Sequence, residues 1–287
     1  MITQPEYGFR MDYRTELREF LKSRRARLRP GDVGLHDHGR ARRVAGLRRE
    51  ELAQLASVSI AHYTRLEQGR GDQVSDEVLD SIGAALRLDA DELAYFHSIA
   101  RRPRPCADSG EHAEEVPTGL RFLLESLPIT PALLVGPHTQ IVGWNDLAVA
   151  VFGDFPALPP EHRTLSHLLF AESGTRELYG EGWERAARDH VAHLRFLYGR
   201  YSGDVAITAH IEALRVLSAD FARMWAEHPV AQLRTRSYVL HHPVVGELTL
   251  HGERISLPDR PSCYGMDLFA AEPGSVSEQA LRKLGDQ

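Results

Sequence analysis

The sequence predicts an α+β protein in which an all-α domain of five helices precedes a domain with an antiparallel sheet of about five strands. Two observations predict this class. Residues 10–101 contain helix-like segments and loops, whereas residues 118–287 contain two strand-like runs, a block of helical segments and three further strand-like runs. Between them, residues 102–117 are polar, acidic and interrupted by prolines, which is typical of a linker.

The composition is that of a soluble globular protein whose two halves carry opposite net charge. Of the 287 residues, 43% are hydrophobic and 26% are charged, and the net charge is −6. Residues 1–105 contain 19 basic and 16 acidic side chains, whereas residues 106–287 contain 15 and 24. A basic head on an acidic body is typical of a polyanion-binding domain joined to a domain with another role. A solvated basic face is the alternative interpretation.

Targeting signals and cysteine patterns are weak in this sequence. No apolar run approaches the roughly 20 residues of a membrane-spanning helix, and the N-terminus lacks the apolar core of a secretory signal. Cys106 and Cys263 lie far apart without CxxC spacing, so neither a disulfide framework nor a cysteine zinc site is indicated. We therefore expect a cytoplasmic protein.

Helical periodicity and capping signals organise the first half. Helices are predicted at 12–28, 49–56, 59–67, 75–87 and 90–101. Asp12 is the predicted cap of the first helix, and Asp89 forms a capping box with Glu92 at the start of the last. The loop at 29–47 ends in an arginine cluster formed by Arg40, Arg42 and Arg43. Contact with a DNA backbone or minor groove and a solvated loop are equal interpretations of this cluster.

The second half alternates between strand-like and helical patterns. After a helix at 118–127, the runs "PALLV" and "QIVGWN" predict two strands around the turn signal "GPHT", and Asn145 caps the next helix. Further helices are predicted at about 164–171, 181–199, 204–217 and 219–227, the last capped by Ser218. Three strand-like runs follow, "LRTRSYVLHH", "GELTLHGERISL" and "SCYGMDLFAAE". The middle run is one strand or two, and "PVVG" before it predicts a hairpin turn. This order predicts a mostly antiparallel sheet with helices on one side.

The stretch "REELAQLASVSIAHYTRLEQGR" predicts two short amphipathic helices around a tight turn. Its Leu-Ala pair, the Val-Ser of the turn and the Leu-Glu-x-Gly ending resemble the helix-turn-helix of the Cro/repressor-like XRE family. The resemblance covers about 45–100 and includes the helix before and the two helices after. Ser57 stands where that family usually has glycine, so a positive φ at this position implies strain.

This resemblance implies which side chains contact DNA. Arg65, Ile60 and Ala61 fall on base-reading positions. Arg65 can donate two hydrogen bonds to guanine, and the two apolar side chains can contact thymine methyl groups. Arg49 and His62 fall on phosphate-contacting positions. The predicted DNA-binding set is therefore Arg49, Ser59, Ile60, Ala61, His62 and Arg65, with Arg42 and Arg43 from the loop.

Two other side chains of the same stretch are predicted not to contact DNA. Tyr63 lies three residues before Leu66, on the inward face of its helix, and is interpreted as a packing residue. The charge of Glu67 would repel phosphate, so an ion pair with Arg24 or Arg25 of the first helix is predicted instead.

Catalytic and metal-binding patterns are weak in the second half. His190 and His193 have metal-ligand spacing on one helix face, but no third ligand stands at a supporting offset. Surface histidines are the favoured interpretation of this pair and of His241 and His242. Cys263 is interpreted as a small core residue. With no GxSxG, HExxH, P-loop or GxGxxG pattern in context, we expect neither an enzyme nor a metal or other cofactor.

Apolar and aromatic side chains dominate this half, and helices inserted into a sheet can leave an apolar cavity between layers. The motifs "W-N-x-x-A" at 144–148, "HHPVVGELTL" at 241–250 and "AAEPGS" at 270–275 resemble the MmyB-like ligand-binding domain, a PAS-like module that follows an XRE helix-turn-helix. The resemblance implies a one-component transcription regulator with a fatty-acid-like ligand. The predicted ligand-binding side chains are Trp144, Phe152, Phe196, Trp225 and Tyr264.

The leading hypothesis is a homodimeric transcription regulator that binds two half-sites of a DNA operator under the control of a small hydrophobic ligand. One competing hypothesis is a DNA-binding protein whose second domain serves only for dimerisation or protein interaction. The other is an enzyme with a DNA-targeting head, which would require a convergent group of titratable side chains in the second domain.

Overall fold

The computed structural model describes residues 13–35, 46–70, 74–101, 116–136, 138–201, 204–256 and 264–286, and the structural statements below concern these residues. The chain divides into two compact units, one of residues 1–105 with 198–208 and one of residues 106–197 with 209–287, and each is described by itself. The domain boundaries at 10–101, 102–117 and 118–287 remain predictions. Several residues discussed above lie outside the described ones, namely Asp12, Arg40, Arg42, Arg43, Cys106 and Cys263.

The described part of the first unit contains the five predicted helices. They are α1 (Tyr13–Arg27), α2 (Arg49–Leu55), α3 (Ile60–Glu67), α4 (Asp76–Ala85) and α5 (Ala90–Ala100), with a short 3-10 turn at Pro30–Val33. Their apolar stripes meet in one core, because each stripe repeats with the helical period. Fully buried members of this core include Leu17, Phe20, Tyr63, Leu66 and Phe96.

Local hydrogen bonds fix the ends of these helices where the sequence predicts caps. The Asp89 carboxylate accepts from the Glu92 backbone N–H at 2.8 Å, and the Glu92 carboxylate accepts from the Asp89 N–H at 3.4 Å. The capping box is therefore confirmed. In the turn between α2 and α3, Ser57 has a φ of 55°, so this residue adopts the left-handed conformation that glycine adopts without strain.

A five-stranded antiparallel sheet forms the second unit, as the fold class predicts. Its strands are β1 (Ala132–Val135), β2 (Ile141–Trp144), β3 (Arg236–His242), β4 (Gly246–Ser256) and β5 (Gly265–Ala270). They lie in the order β2-β1-β5-β4-β3, and all pairings are antiparallel. The run "GELTLHGERISL" is one strand rather than two, and the predicted hairpin turn joins it to β3, with His242 opposite Gly246.

The helices of the second unit are more numerous than predicted. They are α6 (Thr118–Glu125), α7 (Asp146–Phe152), α8 (Leu165–Ala171), α9 (Ser173–Tyr179), α10 (Trp183–Arg200), α11 (Val205–Leu217), α12 (Ala219–Ala226) and α13 (Val276–Gly285), with 3-10 turns at Phe155–Ala157 and Gly180–Gly182. Asn145 caps α7 and Ser218 caps α12, as predicted. The helices α9 and α13 were not expected. Helix α9 has only seven residues, and these include Gly174. Ser275 caps the start of α13, because its hydroxyl accepts a hydrogen bond from the Glu278 N–H at 3.1 Å.

Helices cover both faces of the sheet, which corrects the one-sided arrangement that the sequence predicts. On one face, Leu133 and Leu248 pack in a core with residues of α7, α8, α9 and α13. On the other, Leu124 of α6 packs against Ala132 and Leu134. All four residues of β1 are buried, and successive strand residues point to opposite faces, so this strand requires a layer on each side. None of the helices within the described ranges combines the length and apolar character needed to cross a membrane.

Replacing Ser57 by glycine is expected to stabilise the protein by roughly 0.5–1 kcal/mol. A left-handed residue with a Cβ carries about 1–2 kcal/mol of strain, and the greater chain entropy of glycine offsets part of the gain. Urea denaturation of the full chain measures the change. Ser57→Ala is the control, because it keeps the Cβ and is expected to give no stabilisation. Equal stabilisation by both variants would contradict the strain argument.

Candidate DNA-binding surface and candidate ligand cavity

The outer face of α3 presents the side chains that the sequence assigns to DNA. Ile60, Ala61, His62 and Arg65 are all exposed, and Ile60 is 54% exposed. Tyr63 is fully buried on the opposite face, as predicted, and burial, followed by the charge of Glu67, raises the pKa of its phenol. The helix therefore offers one guanidinium donor and two small apolar groups on a single solvent-facing side.

Ser59 fixes the start of α3. Its hydroxyl oxygen accepts a hydrogen bond from the His62 backbone N–H at 3.1 Å, which is the geometry of a helix N-cap. The hydroxyl proton is still available to donate to another acceptor, such as a phosphate oxygen. Ser59 thus has a structural role that does not conflict with the predicted contact.

Glu67 is a buried carboxylate that holds two arginines from different helices. Its side chain is 2% exposed, and one oxygen lies 2.9 Å from Arg25 Nη2. Its second oxygen pairs with the guanidinium of Arg49. The predicted pairing with α1 is therefore confirmed for Arg25, whereas Arg24 pairs with Glu92 at 2.8 Å. A buried carboxylate needs such partners, because its desolvation is otherwise costly.

Arg49 combines a fixed position with an exposed guanidinium. It is the first residue of α2, and 56% of its side chain remains exposed although it pairs with Glu67. The hydrogen bond and charge of Glu67 raise the pKa of Arg49. A guanidinium has five N–H donors, so one carboxylate does not occupy it fully. Arg49 can therefore donate to a phosphate while Glu67 restrains its orientation.

A cavity lies in the second unit between the sheet and the helices α8, α9 and α10. The space between its walls, counted out to its opening to solvent, is about 820 Å³. This figure includes open solvent at the mouth of the cavity, and the volume accessible to the centre of a water molecule is about 80 Å³. Most of the wall is apolar and includes Leu133, Phe152, Leu165, Leu168, Leu178 and Phe269.

One ion pair interrupts the apolar wall of this cavity. Arg254 and Asp267 are opposite each other on β4 and β5, and Arg254 Nε lies 3.0 Å from Asp267 Oδ1. Burial raises the pKa of Asp267, and the charge of Arg254 opposes that shift. Gly265 makes room for the guanidinium, because a Cβ at this position would lie 2.8 Å from Arg254 Nε.

His190 and His193 are buried, so the surface interpretation of this pair is wrong. Every residue of α10 from 190 to 196 is buried. His190 Nε2 lies 2.8 Å from the Ser166 hydroxyl, and His193 Nδ1 accepts from the Leu233 N–H at 3.1 Å. Burial, followed by the charge of Arg254, lowers the pKa of His190 to about 3 and that of His193 well below its usual range. Both imidazoles are therefore neutral near pH 7.

The second histidine pair divides between surface and interior. His241 is exposed, as predicted, but His242 is buried, with Nε2 2.8 Å from the Ala150 carbonyl oxygen. The alternation of β3 accounts for the difference, because neighbouring strand residues face opposite sides. Among the described residues, no group of three His, Cys, Asp or Glu side chains is arranged to hold a metal ion.

Of the five predicted ligand-binding residues, the structure brings Phe152 to the cavity. The other four are not lining residues of this cavity, namely Trp144, Phe196, Trp225 and Tyr264. Trp144 packs edge-on against Phe155 with 5.5 Å between ring centroids, and Tyr264 belongs to the core under α6. Aromatic side chains bury large areas wherever a core forms, so their abundance does not distinguish a cavity wall from solid packing.

The ion pair in the cavity wall was not expected, although the sequence contains a signal for it. In β4, Leu248, Leu250 and Gly252 are buried and alternate with exposed residues. Arg254 continues this series of every second residue, and Asp267 stands in the same relation to Phe269 on β5. A charged residue on the inward series of a strand is an unusual position, and it indicates a functional group.

Comparison with protein families agrees with this division of the chain. The family model described as "MmyB-like transcription regulator ligand binding domain" matches residues 116–284, and the model described as "Helix-turn-helix domain" matches residues 16–96. The first match covers more than half of the chain and includes the whole cavity wall. No curated protein matches the chain.

Replacing Glu67 by glutamine is expected to lower the free energy of unfolding by about 2–4 kcal/mol, because Arg25 and Arg49 lose their shared carboxylate in a buried position. Urea denaturation measures the loss. Glu50→Gln is the matched control, since Glu50 is 62% exposed and lies 3.7 Å from its partner Arg48. That variant is expected to change stability by less than about 0.5 kcal/mol. Similar losses in both variants would refute the special role of Glu67.

Proposed function

The chain belongs to the MmyB-like transcription regulators, and we propose that a small apolar ligand in the cavity of its second unit controls the binding of α3 to one specific double-stranded DNA sequence. Its DNA-binding helix-turn-helix domain and its ligand-binding domain make it a ligand-regulated transcription regulator. The observation that carries the DNA part of the proposal is the exposed face of α3, which presents Arg65 together with Ile60 and Ala61. The ligand part rests on the apolar cavity.

We assign base reading to three side chains of α3. Arg65 donates two hydrogen bonds to O6 and N7 of a guanine in the major groove. Ile60 and Ala61 lie at the start of the helix and contact thymine methyl groups, since they offer no hydrogen-bond donors. The exposed face of α3 has one long hydrogen-bond donor and two apolar side chains, which supports this division of base reading between hydrogen bonds and methyl contacts.

We assign the contacts to the DNA backbone to residues around the ends of α2 and α3. Arg49 donates to a phosphate from the position in which Glu67 holds it. His62 and Ser59 are exposed at the start of α3 and complete the anchor. Arg42 and Arg43 of the loop join this group on the basis of their charge.

We propose that the regulator acts as a homodimer. Helix α3 has eight residues and reads only a few base pairs, which gives one copy little specificity. Two copies related by a twofold axis read two half-sites, and the spacing between the recognition helices must then match the DNA helical repeat. A ligand that favours one arrangement of the two copies changes operator affinity through this spacing.

The apolar cavity wall supports a small hydrophobic ligand, and the family resemblance implies a fatty-acid-like one. The alternative is a second unit that serves only for dimerisation or protein interaction, in which case the cavity has no resident molecule. We do not propose an enzyme. The Ser166–His190 contact has the form of a nucleophile and base, but Ser166 is fully buried and is not one of the residues that line the cavity.

Arg65→Ala is expected to reduce discrimination at one base pair by about 1–3 kcal/mol, because the two hydrogen bonds to guanine are lost. Arg49→Ala is expected to weaken binding to all sequences alike and to reduce the dependence on salt concentration. An operator is first selected from random DNA, and fluorescence anisotropy then compares it with single-base variants and random DNA. Equal losses on operator and random DNA for Arg65→Ala would remove this residue from the base-reading set.

Native mass spectrometry of the purified full chain is expected to show a retained small hydrophobic molecule. Ala186→Phe, which adds a ring to the cavity wall, is expected to abolish this added mass. Ala213→Phe, the same change at an exposed position of α11, is the control and is expected to retain it. If the wild type and both variants all show the mass of the chain alone, a tightly held ligand is contradicted. A second unit that serves only for dimerisation or protein interaction is then favoured.

A further inference from the structure

A second space, with a more polar lining, lies next to the apolar cavity. It is a groove between the start of α10 and β3, an edge strand of the sheet, and Tyr179, Ala186 and Tyr238 line both spaces. The volume accessible to the centre of a water molecule is about 710 Å³ in this outer groove and about 80 Å³ in the cavity. The narrow cavity therefore has a wide neighbour that is open to solvent, and three side chains belong to the walls of both.

The two tyrosines of the shared wall meet ring against ring. The ring centroids of Tyr179 and Tyr238 lie 5.8 Å apart, and the ring planes are nearly perpendicular, at 86°. Such an edge-on contact is favourable, but it is weaker than a hydrogen bond between charged groups. At this point, the wall between the cavity and the outer groove is therefore held by a contact that costs little free energy to separate.

Tyr238 is the fixed member of this pair. It belongs to β3, which pairs along its length with β4, and its ring also lies against Phe269. Gly252 makes room for the ring, because a Cβ at this position would lie 2.8 Å from Tyr238 Cε2. Beside it, Arg236 Nε lies 2.9 Å from Asp189 Oδ2, and this ion pair ties β3 to α10. Opening the wall by moving Tyr238 would break these contacts.

Tyr179, by contrast, is placed where the backbone can move. It is the last residue of α9, and the residue before it, Leu178, anchors that helix in the core. Gly180 and Gly182 follow in a 3-10 turn, and Gly180 has a φ of 49°. Glycine changes its backbone angles at little steric cost, and hinges consist of a few residues at the end of an element. A rotation in this turn swings the Tyr179 ring away from Tyr238 while Leu178 stays in the core.

Another part of the cavity wall is held by stronger contacts. The Leu233 N–H donates to His193 Nδ1 at 3.1 Å, and Arg254 Nε lies 3.0 Å from Asp267 Oδ1. A charged hydrogen bond between partly buried groups costs more to break than a contact between two ring edges. This comparison favours the tyrosine pair as the point at which the cavity opens.

From this geometry we propose that the outer groove is the route by which a ligand reaches the cavity, and that the Tyr179 ring is a gate that closes this route. The inference rests on the proposed ligand cavity and adds the path of entry and the residue that controls it. With the ring swung toward solvent, the groove and the cavity form one continuous space. With the ring against Tyr238, the ligand is enclosed and shielded from water. Because the same barrier stands in both directions, the gate sets the rates of entry and release and leaves the affinity nearly unchanged.

Stopped-flow fluorescence of the full chain with N-phenyl-1-naphthylamine tests the gate, because this uncharged apolar probe becomes more fluorescent when it leaves water. Tyr179→Ala is expected to raise the association and dissociation rate constants about tenfold each and to change Kd by less than about threefold, since the barrier falls in both directions. Tyr238→Ala removes the other ring and is expected to have the same effect, so it supplies the test if Tyr179→Ala does not fold. Tyr179→Phe keeps the ring and is the matched control, with both rate constants within about twofold of the wild type.

Three results would overturn the gate. If Tyr179→Ala and Tyr238→Ala both keep the wild-type association rate, the two rings are ordinary wall residues. Leu233→Ala trims the hydrogen-bonded part of the wall, and faster entry in this variant alone would place the entrance there. In both cases the ligand cavity of the proposed function stands. If the wild type does not bind the probe at all, the ligand cavity itself is refuted, and the gate with it.

Discussion

Successive side chains of β1, β4 and β5 point to opposite faces of the sheet, and this alternation determines what the second unit can build. One face meets the helical block through residues such as Leu133 and Leu248, and the other meets α6 through Leu134. A slip of one residue in the pairing of β4 with β5 would exchange the two sets. The same register that forms the core places Arg254 opposite Asp267 and fixes both in the cavity wall.

In the first unit, the short helix α3 depends on contacts with neighbouring helices. An isolated helix of eight residues is not stable in water, so α3 has to be held by its neighbours. Tyr63 and Leu66 attach one side of it to the core, and Glu67 connects its end to α1 and α2 through Arg25 and Arg49. Because contacts on the buried side stabilise α3, the residues on its exposed side need not pack in the core and can contact DNA.

Features that depend on residues close in sequence could be predicted, and those that depend on distant neighbours could not. The caps at Asn145 and Ser218 could be predicted, because each side chain accepts a hydrogen bond from an N–H three residues further along the chain. The burial of His190 and His193 was not, since it follows from the elements that surround α10. Trp144 shows the same limit for the candidate ligand site. Its size predicts burial, but its position relative to the cavity is set by the tertiary fold.

Two buried carboxylates have different numbers of partners, and this difference governs how each arginine can respond to an incoming anion. Glu67 is shared by Arg25 and Arg49, and 56% of the Arg49 side chain remains exposed, so in the proposed complex Arg49 can donate to a phosphate while both ion pairs of Glu67 persist. Asp267 is held by Arg254, whose guanidinium would leave a buried carboxylate without this ion pair if it turned to another anion, which is costly.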